Sequence, residues 1–241
     1  MENQSTTTKE MQSLQNLTTS MKITTHTPTL QRIHCTLNDI NSGLRYFQQT
    51  ANKMCPGYKL DDSNRNAISN LIWYFNGDSR FMTTETMKGD LNKGLLLTGK
   101  PGTGKTLMLK IFAEFVKIDN LFFTVEDKRI NLSYDIIPCN DIVKDFESRG
   151  HDSVFNFTKR RILCFDDLGE EKKDAVYYGS RENVMQTLIE KRYQTIGLTF
   201  ASTNYHIDTL GEMYGARVKS RIYDMFNFIT ISGIDRRKVK Y

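Results

Sequence analysis

Apolar residues fall in short blocks along this chain, and their spacing switches between a helical period and unbroken runs. Ile33, Leu37, Ile40, Leu44 and Phe47 follow the helical period and predict a helix between Leu30 and Met54, ending before Pro56. Asp61-Asp62-Ser63 offers N-caps for a second helix with an apolar face of Ile68, Leu71, Ile72 and Phe75, closed near Gly77. Gly94–Thr98 is an unbroken apolar run and reads as a buried strand, whereas the spacing in Leu107–Val116 suits a helix packed on a sheet. Strands are then expected at Ser133–Ile137, Arg161–Phe165, Leu198–Ser202 and Asn227–Ser232. Helices are expected at Asn140–Ser148 and Glu182–Tyr193, and the stretch Leu210–Ile222 places Arg217 and Arg221 four apart on one helix face. Strands alternating with helices predict an α/β fold, a parallel sheet with helices on both faces. The first 30 or so residues are rich in Thr, Ser, Gln and Asn and read as disordered or loosely helical.

Between the first strand and its helix stands Gly99-Lys100-Pro101-Gly102-Thr103-Gly104-Lys105-Thr106, the pattern G-x-x-x-x-G-K-T. In that position it reads as a P-loop, which wraps nucleoside triphosphate phosphates. Its glycines let backbone N–H groups turn toward the phosphates, and the helix that opens with Lys105, Thr106 and Leu107 adds the positive end of its dipole. Lys105 is expected to reach the β- and γ-phosphates and the Thr106 hydroxyl to ligate Mg²⁺. ATP or GTP is therefore the expected ligand.

The run Arg161-Ile162-Leu163-Cys164-Phe165 ends in Asp166-Asp167, as a central strand must to deliver carboxylates to the edge beside a P-loop. Asp166 is expected to hold Mg²⁺ through water, and Asp167 to orient or polarise the attacking water. Leu198–Ser202 ends in Thr203 and Asn204, whose amide could hold that water near the γ-phosphate; an ordinary strand-end asparagine is the rival reading.

Composition narrows the picture without changing it. With 39% hydrophobic and 25% charged residues in 241, the chain has the make-up of a water-soluble protein of one or two domains. No apolar run approaches membrane-spanning length and the first residues lack a secretory leader, so a cytoplasmic protein with no membrane partner is expected. Cys35, Cys55, Cys139 and Cys164 lack metal-ligand spacing and read as free thiols; His26, His34, His151 and His206 form no metal pattern. A net charge of +5 permits a nucleic-acid partner. Basic residues gather at Lys159-Arg160-Arg161 and at Arg236, Arg237, Lys238 and Lys240, where they could neutralise phosphates of single-stranded DNA or form solvated faces.

Taken together, Lys93–Thr106, Cys164–Gly169 (C-F-D-D-L-G), Ser202–Asn204 and Tyr214–Ile222 (Y-G-A-R-V-K-S-R-I), followed by Ser232–Arg237 (S-G-I-D-R-R), resemble the AAA+ ATPases of the DnaC helicase-loader and IstB transposition-helper group. The resemblance covers about residues 60 to 241, and the R-V-x-S-R block is its most particular part. It implies an AAA+-type P-loop NTPase domain over 61–241 without a C-terminal lid, since only 37 residues follow Asn204. It implies a helical or partly disordered partner-docking segment over 1–60. It further implies an arginine finger acting in trans, matching Arg221, and a later arginine sensing the γ-phosphate in the same subunit, matching Arg236. Self-association follows from the finger. The group usually ends its acidic strand in Asp-Glu, so Asp166-Asp167 leaves open whether Asp167 or Glu170 activates water.

The implied function is an ATPase that loads a replicative helicase in DNA replication, with a transposase or mobile-element helper as the alternative. Nothing in the chain reads base edges, so no sequence-specific DNA recognition is expected. A small-molecule P-loop kinase would need several arginines between the nucleotide motifs, and residues 119–160 scatter only Arg129 and Arg149 among mixed polar positions before Arg160.

Overall fold

The computed structural model describes residues 31–32, 40–82, 89–118, 122–125, 128–195 and 197–238. The polar start, residues 1–30, lies outside the described residues, as does Cys35. Eight helices appear among the described residues: α1 Ile40–Met54, α2 Asp62–Phe75, α3 Lys105–Ile118, α4 Cys139–Arg149, α5 His151–Lys159, α6 Val184–Tyr193, α7 Ile207–Tyr214 and α8 Ala216–Met225. Five strands, β1 Gly94–Thr98, β2 Ile136–Pro138, β3 Ile162–Asp166, β4 Leu198–Thr203 and β5 Phe226–Thr230, form one parallel sheet in the order β5-β1-β4-β3-β2. The unbroken apolar runs explain the layering. Every residue of β3 and β4 is buried, so both sheet faces must be covered.

One face is covered by α1, α2 and α3, where Phe75 stacks on Phe112 with ring centroids 4.8 Å apart. The other is covered by α4 to α8 through Phe146, Met185, Leu188, Leu210 and Val218. Leu44, Phe47 and Ala51 of α1 are buried in the first cluster, so the apolar face of this helix is spent on the nucleotide-domain core. At the start of α2, Asp61 accepts from Ser63 N, and Asn64 reaches back to Asp61 N, a capping box at the position where caps were expected.

Several expectations are corrected. The first helix is described from Ile40, residues 30 and 33–39 lying outside the described residues, and Gln31–Arg32, within the range expected to be helical, pairs antiparallel with Phe123 and Thr124; a backbone ladder with a distant strand outweighs local helical spacing there. Helix α5 was not foreseen, because Gly150, at φ 60°, splits one helical region in two. A hairpin of Ala175–Tyr177 and Ser180–Glu182 turns at Tyr178-Gly179, both with positive φ, and takes Glu182 out of the expected helix. Helix α6 therefore starts at Val184, where Asn183 caps Gln186 N. Gly215, at φ 91°, divides the expected 210–222 helix into α7 and α8, leaving both Arg217 and Arg221 on α8.

Arg192 is the largest fully buried side chain, and all its bonds go to neutral oxygens. Its Nε donates to Thr199 Oγ1 (2.8 Å), Nη2 to Leu198 O (2.9 Å), and Nη1 to Arg160 O (2.8 Å) and Phe157 O (3.1 Å). Burial holds its pKa down to about 10. This one guanidinium joins α6, β4 and the α5–β3 turn, and it satisfies carbonyls that would otherwise be buried without donors. Among the described residues, no helix is long and apolar enough to cross a membrane.

Candidate active site

Parallel strands deliver their C-terminal ends to one sheet edge, and the strand order decides which ends meet. Here β4 lies between the P-loop strand β1 and the acidic strand β3, with Thr98 opposite Thr203 and Phe165 opposite Ala201. The polar end of β4 is thereby set between the P-loop and the carboxylates. Gly99 opens the loop at φ 147°, and a Cβ there would stand 2.3 Å from Ile231 O. At Gly102, φ 80°, a Cβ would stand 1.9 Å from Asp235 Oδ1. Only glycine fits at either position, and Thr103 Oγ1 braces the loop on Lys100 O at 2.9 Å.

Lys105 is 5% exposed and spends its ammonium protons inside the loop. Its Nζ donates to Gly99 O (2.8 Å), Lys100 O (3.0 Å) and Asn204 Oδ1 (2.6 Å). Burial pulls its pKa below the usual lysine range, against the upward pull of Asp167 and Asp166. Thr106 Oγ1 donates to Asp166 Oδ1 at 2.9 Å, and Ser202 Oγ donates to the same oxygen at 2.6 Å. Ser202 Oγ also accepts from Asp167 N at 2.9 Å, so one buried hydroxyl orients both aspartates. Burial, then the Asp166 charge, pushes the Asp167 carboxyl above its usual range, with Lys105 opposing. Asn204 turns its other end outward, donating from Nδ2 to Glu170 Oε1 at 3.0 Å.

A cleft of about 410 Å³ opens over these groups. It is lined by Pro101, Gly102, Gly104, Lys105, Thr106, Leu107, Asp167, Asn204 and Arg236 from the expected set, and also by Cys55, Tyr58 and Arg237. Arg236 roofs one side: Nη1 donates to Lys59 O (3.0 Å), Nη2 to Asp61 Oδ2 (2.8 Å), and the guanidinium lies 5.3 Å from the Tyr58 ring centroid. Burial pushes the Asp61 carboxyl up, but the hydrogen bonds from Ser63 and Arg236 hold it below its usual range. Arg221 stands elsewhere. It lies on α8, its side chain 11% exposed, with Nη1 3.4 Å from Glu190 Oε1 of α6 and its guanidinium 5.2 Å from the Tyr193 ring.

Four participants escaped the sequence reading. Ser202 belongs to the Ser-Thr-Asn triplet, but only the register of β4 against β3 reveals that its hydroxyl holds Asp166. Tyr58 and Cys55 precede the recognisable motifs by about 40 residues and carry no spacing signal. Arg237 was placed with the basic tail, yet it faces the cleft.

The residues fit a nucleoside triphosphate with Mg²⁺. The loop curves around a lysine whose present partners are loop carbonyls, and the Thr106–Asp166 pair offers a hydroxyl and a carboxylate oxygen together. When bound, the nucleotide supplies the scissile phosphoanhydride and its Mg²⁺ a divalent positive charge. Lys105 would exchange loop carbonyls for phosphate oxygens, Thr106 and Asp166 would hold the metal, and Asn204 would orient the water.

A family model for the ATPase family associated with various cellular activities (AAA) matches residues 95–224. The ATP-dependent zinc metalloprotease FtsH of Buchnera aphidicola subsp. Acyrthosiphon pisum (strain APS) is 39% identical over 64 residues, 27% of this chain and 10% of that protein. This chain thus spans about a tenth of the length of the curated relatives it matches. Among solved structures, DnaI aligns with a TM-score of 0.50 at 21% identity, over 77% of this chain and 94% of that one. The DnaC helicase loader aligns with a TM-score of 0.48 at 22% identity, over 78% and 99% of the two chains. At such identities the DnaI likeness is one of fold. The match runs from β1 to α8, more than half of the chain, and takes in the P-loop, the acidic strand and the polar strand between them: this protein belongs to the AAA family of ATPases.

Proposed function

We propose that this chain is an ATP-dependent switch that loads a replicative helicase onto single-stranded DNA, hydrolysing ATP slowly until it meets its partners. The reading is carried by Tyr214–Ile222, the block that resembles the DnaC and IstB group, seated as the end of α7 and the start of α8. A general nucleotide-binding domain does not need an arginine helix there, whereas an assembly that completes its centre from a neighbouring subunit does. ATP favours the assembled, DNA-gripping state, and hydrolysis releases it.

Contact with DNA is supported by the end of α5. Phe155 is 54% exposed, Lys159 Nζ lies 3.9 Å from its ring centroid, and Arg160 and Arg161 follow directly. An exposed aromatic beside cations suits stacking on a base while neutralising its phosphates, with no base-edge reading. Partner docking falls to residues within 1–60 other than the buried face of α1. A transposase helper is the second reading, favoured by the IstB side of the same resemblance.

Within the centre, Asp167→Asn is expected to retain ATP binding and lower kcat by about 10²- to 10⁴-fold, the usual share of a general base. Glu170→Gln is expected to cost less. Because burial raises the Asp167 pKa, wild-type kcat should fall on acidification at higher pH than for an ordinary aspartate. Steady-state turnover across pH reads both; a larger loss in Glu170→Gln would transfer the base role to Glu170. The partner is tested by native pull-down from the source cell with Asp167→Asn protein held in ATP as bait. A hexameric replicative helicase in the eluate supports loading, and a transposase moves the protein to the helper role.

A further inference from the structure

The turn after β3 carries Asp167 and Glu170, the two candidate carboxylates for the attacking water, and β4 pins its near side. Asp167 N donates to Ser202 Oγ (2.9 Å), Leu168 N to Ser202 O (2.8 Å), and Thr203 Oγ1 to Leu168 O (2.7 Å). Glu170 accepts from Asn204 Nδ2 at 3.0 Å. On the far side Asn140 Nδ2 donates weakly to Glu170 O at 3.5 Å and Tyr205 hydrogen-bonds the Glu170 side chain, while Glu171 ties the turn to α7. Glu171 Oε2 accepts from Gly169 N at 2.9 Å, closing the turn, and Glu171 Oε1 accepts a hydrogen bond from the Tyr214 hydroxyl. Tyr214 is 2% exposed. Burial, then the Glu171 charge, pushes its phenol far above the usual range, so it stays a donor at any working pH. The backbone has little room to adapt: Gly169 sits at φ 98°, and a Cβ there would stand 2.7 Å from the Tyr205 ring.

We propose that Glu171 and Tyr214 are positioning residues for ATP hydrolysis: the buried phenol fixes Glu171, and Glu171 fixes the turn that aims Asp167 and Glu170. This rests on the ATPase reading and adds to it a link between elements. Tyr214 ends α7, and Gly215, at φ 91°, leads directly into α8 with Arg217 and Arg221. The acidic turn and the arginine helix of one subunit thereby share a single hydrogen-bonded anchor. The Tyr214–Glu171 pair reaches neither the P-loop lysine nor the cleft lining, so it acts on the carboxylates and not on phosphate binding.

The test compares Tyr214→Phe, Glu171→Ala and the double variant, with Lys105→Ala as control, by kcat and KM for ATP, binding of a fluorescent ATP analogue and thermal unfolding. Tyr214→Phe keeps the ring in its packing and removes only the hydroxyl. Each single variant is expected to lower kcat about 5- to 20-fold, less than the roughly 10²-fold that a misplaced reacting group can cost. KM and analogue affinity should stay within about twofold, the signature of a defect confined to the chemical step. Both changes break the same bond, so the double variant should be no slower than the worse single. Wild-type kcat in Tyr214→Phe, losses that multiply in the double variant, or KM rising in parallel with the loss of kcat would each overturn the proposal. If wild-type turnover itself does not depend on Lys105, the ATPase reading falls and the positioning role with it; turnover that needs Lys105 but not Tyr214 overturns the positioning role alone.

Discussion

Replacing Lys105 by alanine is expected to weaken ATP binding by about 10²- to 10³-fold and to remove turnover while leaving the protein folded. The magnitude follows from what the ammonium does. Its three protons already point at Gly99 O, Lys100 O and Asn204 Oδ1, so the group is placed over the loop before any phosphate arrives. Binding exchanges at least two of these neutral acceptors for phosphate oxygens, and hydrogen bonds to charged groups contribute about 1.5–3 kcal/mol each. Two such bonds account for the lost affinity. The fold does not share the loss. Burial lowers the Lys105 pKa, which means the charged form is less favourable in the loop than in water. Removing it should leave the melting temperature unchanged or slightly raised. Titration with ATP beside a thermal melt separates the two effects, and unchanged affinity in the variant would remove the P-loop as the nucleotide site.

The same residues show where the chain could be read without its structure. β1 and β3 were legible because a central parallel strand is buried on both faces and reads as a near-continuous apolar run, and β4 because Leu198, Phe200 and Ala201 carry the same signal around its buried hydroxyls. The P-loop was legible because phosphate binding demands glycines and a lysine at fixed intervals in one short segment. Asp166 was legible for the same local reason, as the polar residue that ends an apolar run. What escaped depends on register or on distant partners. Nothing near Ser202 says that its hydroxyl will meet Asp166; that follows from Phe165 lying opposite Ala201. Gln31–Arg32 falls in a stretch whose apolar spacing suits a helix but pairs with Phe123 and Thr124, ninety residues away. Gly150 and Gly215 were visible as residues, yet a glycine inside a helical pattern does not announce the positive φ that divides α4 from α5 and α7 from α8. Spacing places Arg217 and Arg221 on one helix face but does not give their burial: Arg221 is 11% exposed against Glu190 and Tyr193, because the face of α8 that carries it packs on α6.

Arg221→Ala should then leave ATP affinity and the low turnover of isolated subunits intact, while abolishing the rise in turnover with protein concentration, a loss of about 10³-fold at full assembly. The expectation rests on position. Arg221 does not line the cleft of its own subunit, so any transition-state charge it stabilises belongs to a neighbour. Its present contacts are easily given up. The Glu190 pair spans 3.4 Å, and Nη1 is buried with no well-formed hydrogen bond, so a guanidinium with five donors is poorly matched where it rests. A phosphate oxygen in an adjoining cleft offers a better acceptor in fork geometry, which lysine cannot imitate, so Arg221→Lys should recover little. Mixing supplies the decisive comparison. Lys105→Ala subunits bind ATP weakly and do not turn it over but still carry Arg221, and Arg221→Ala subunits bind ATP but lack the arginine. Neither should turn over rapidly alone, and together they should regain activity at every junction where an intact arginine faces an intact P-loop. Mixtures no faster than the sum of their parts would place the trans-acting charge on another residue, with Arg217, exposed one turn earlier on α8, next in line.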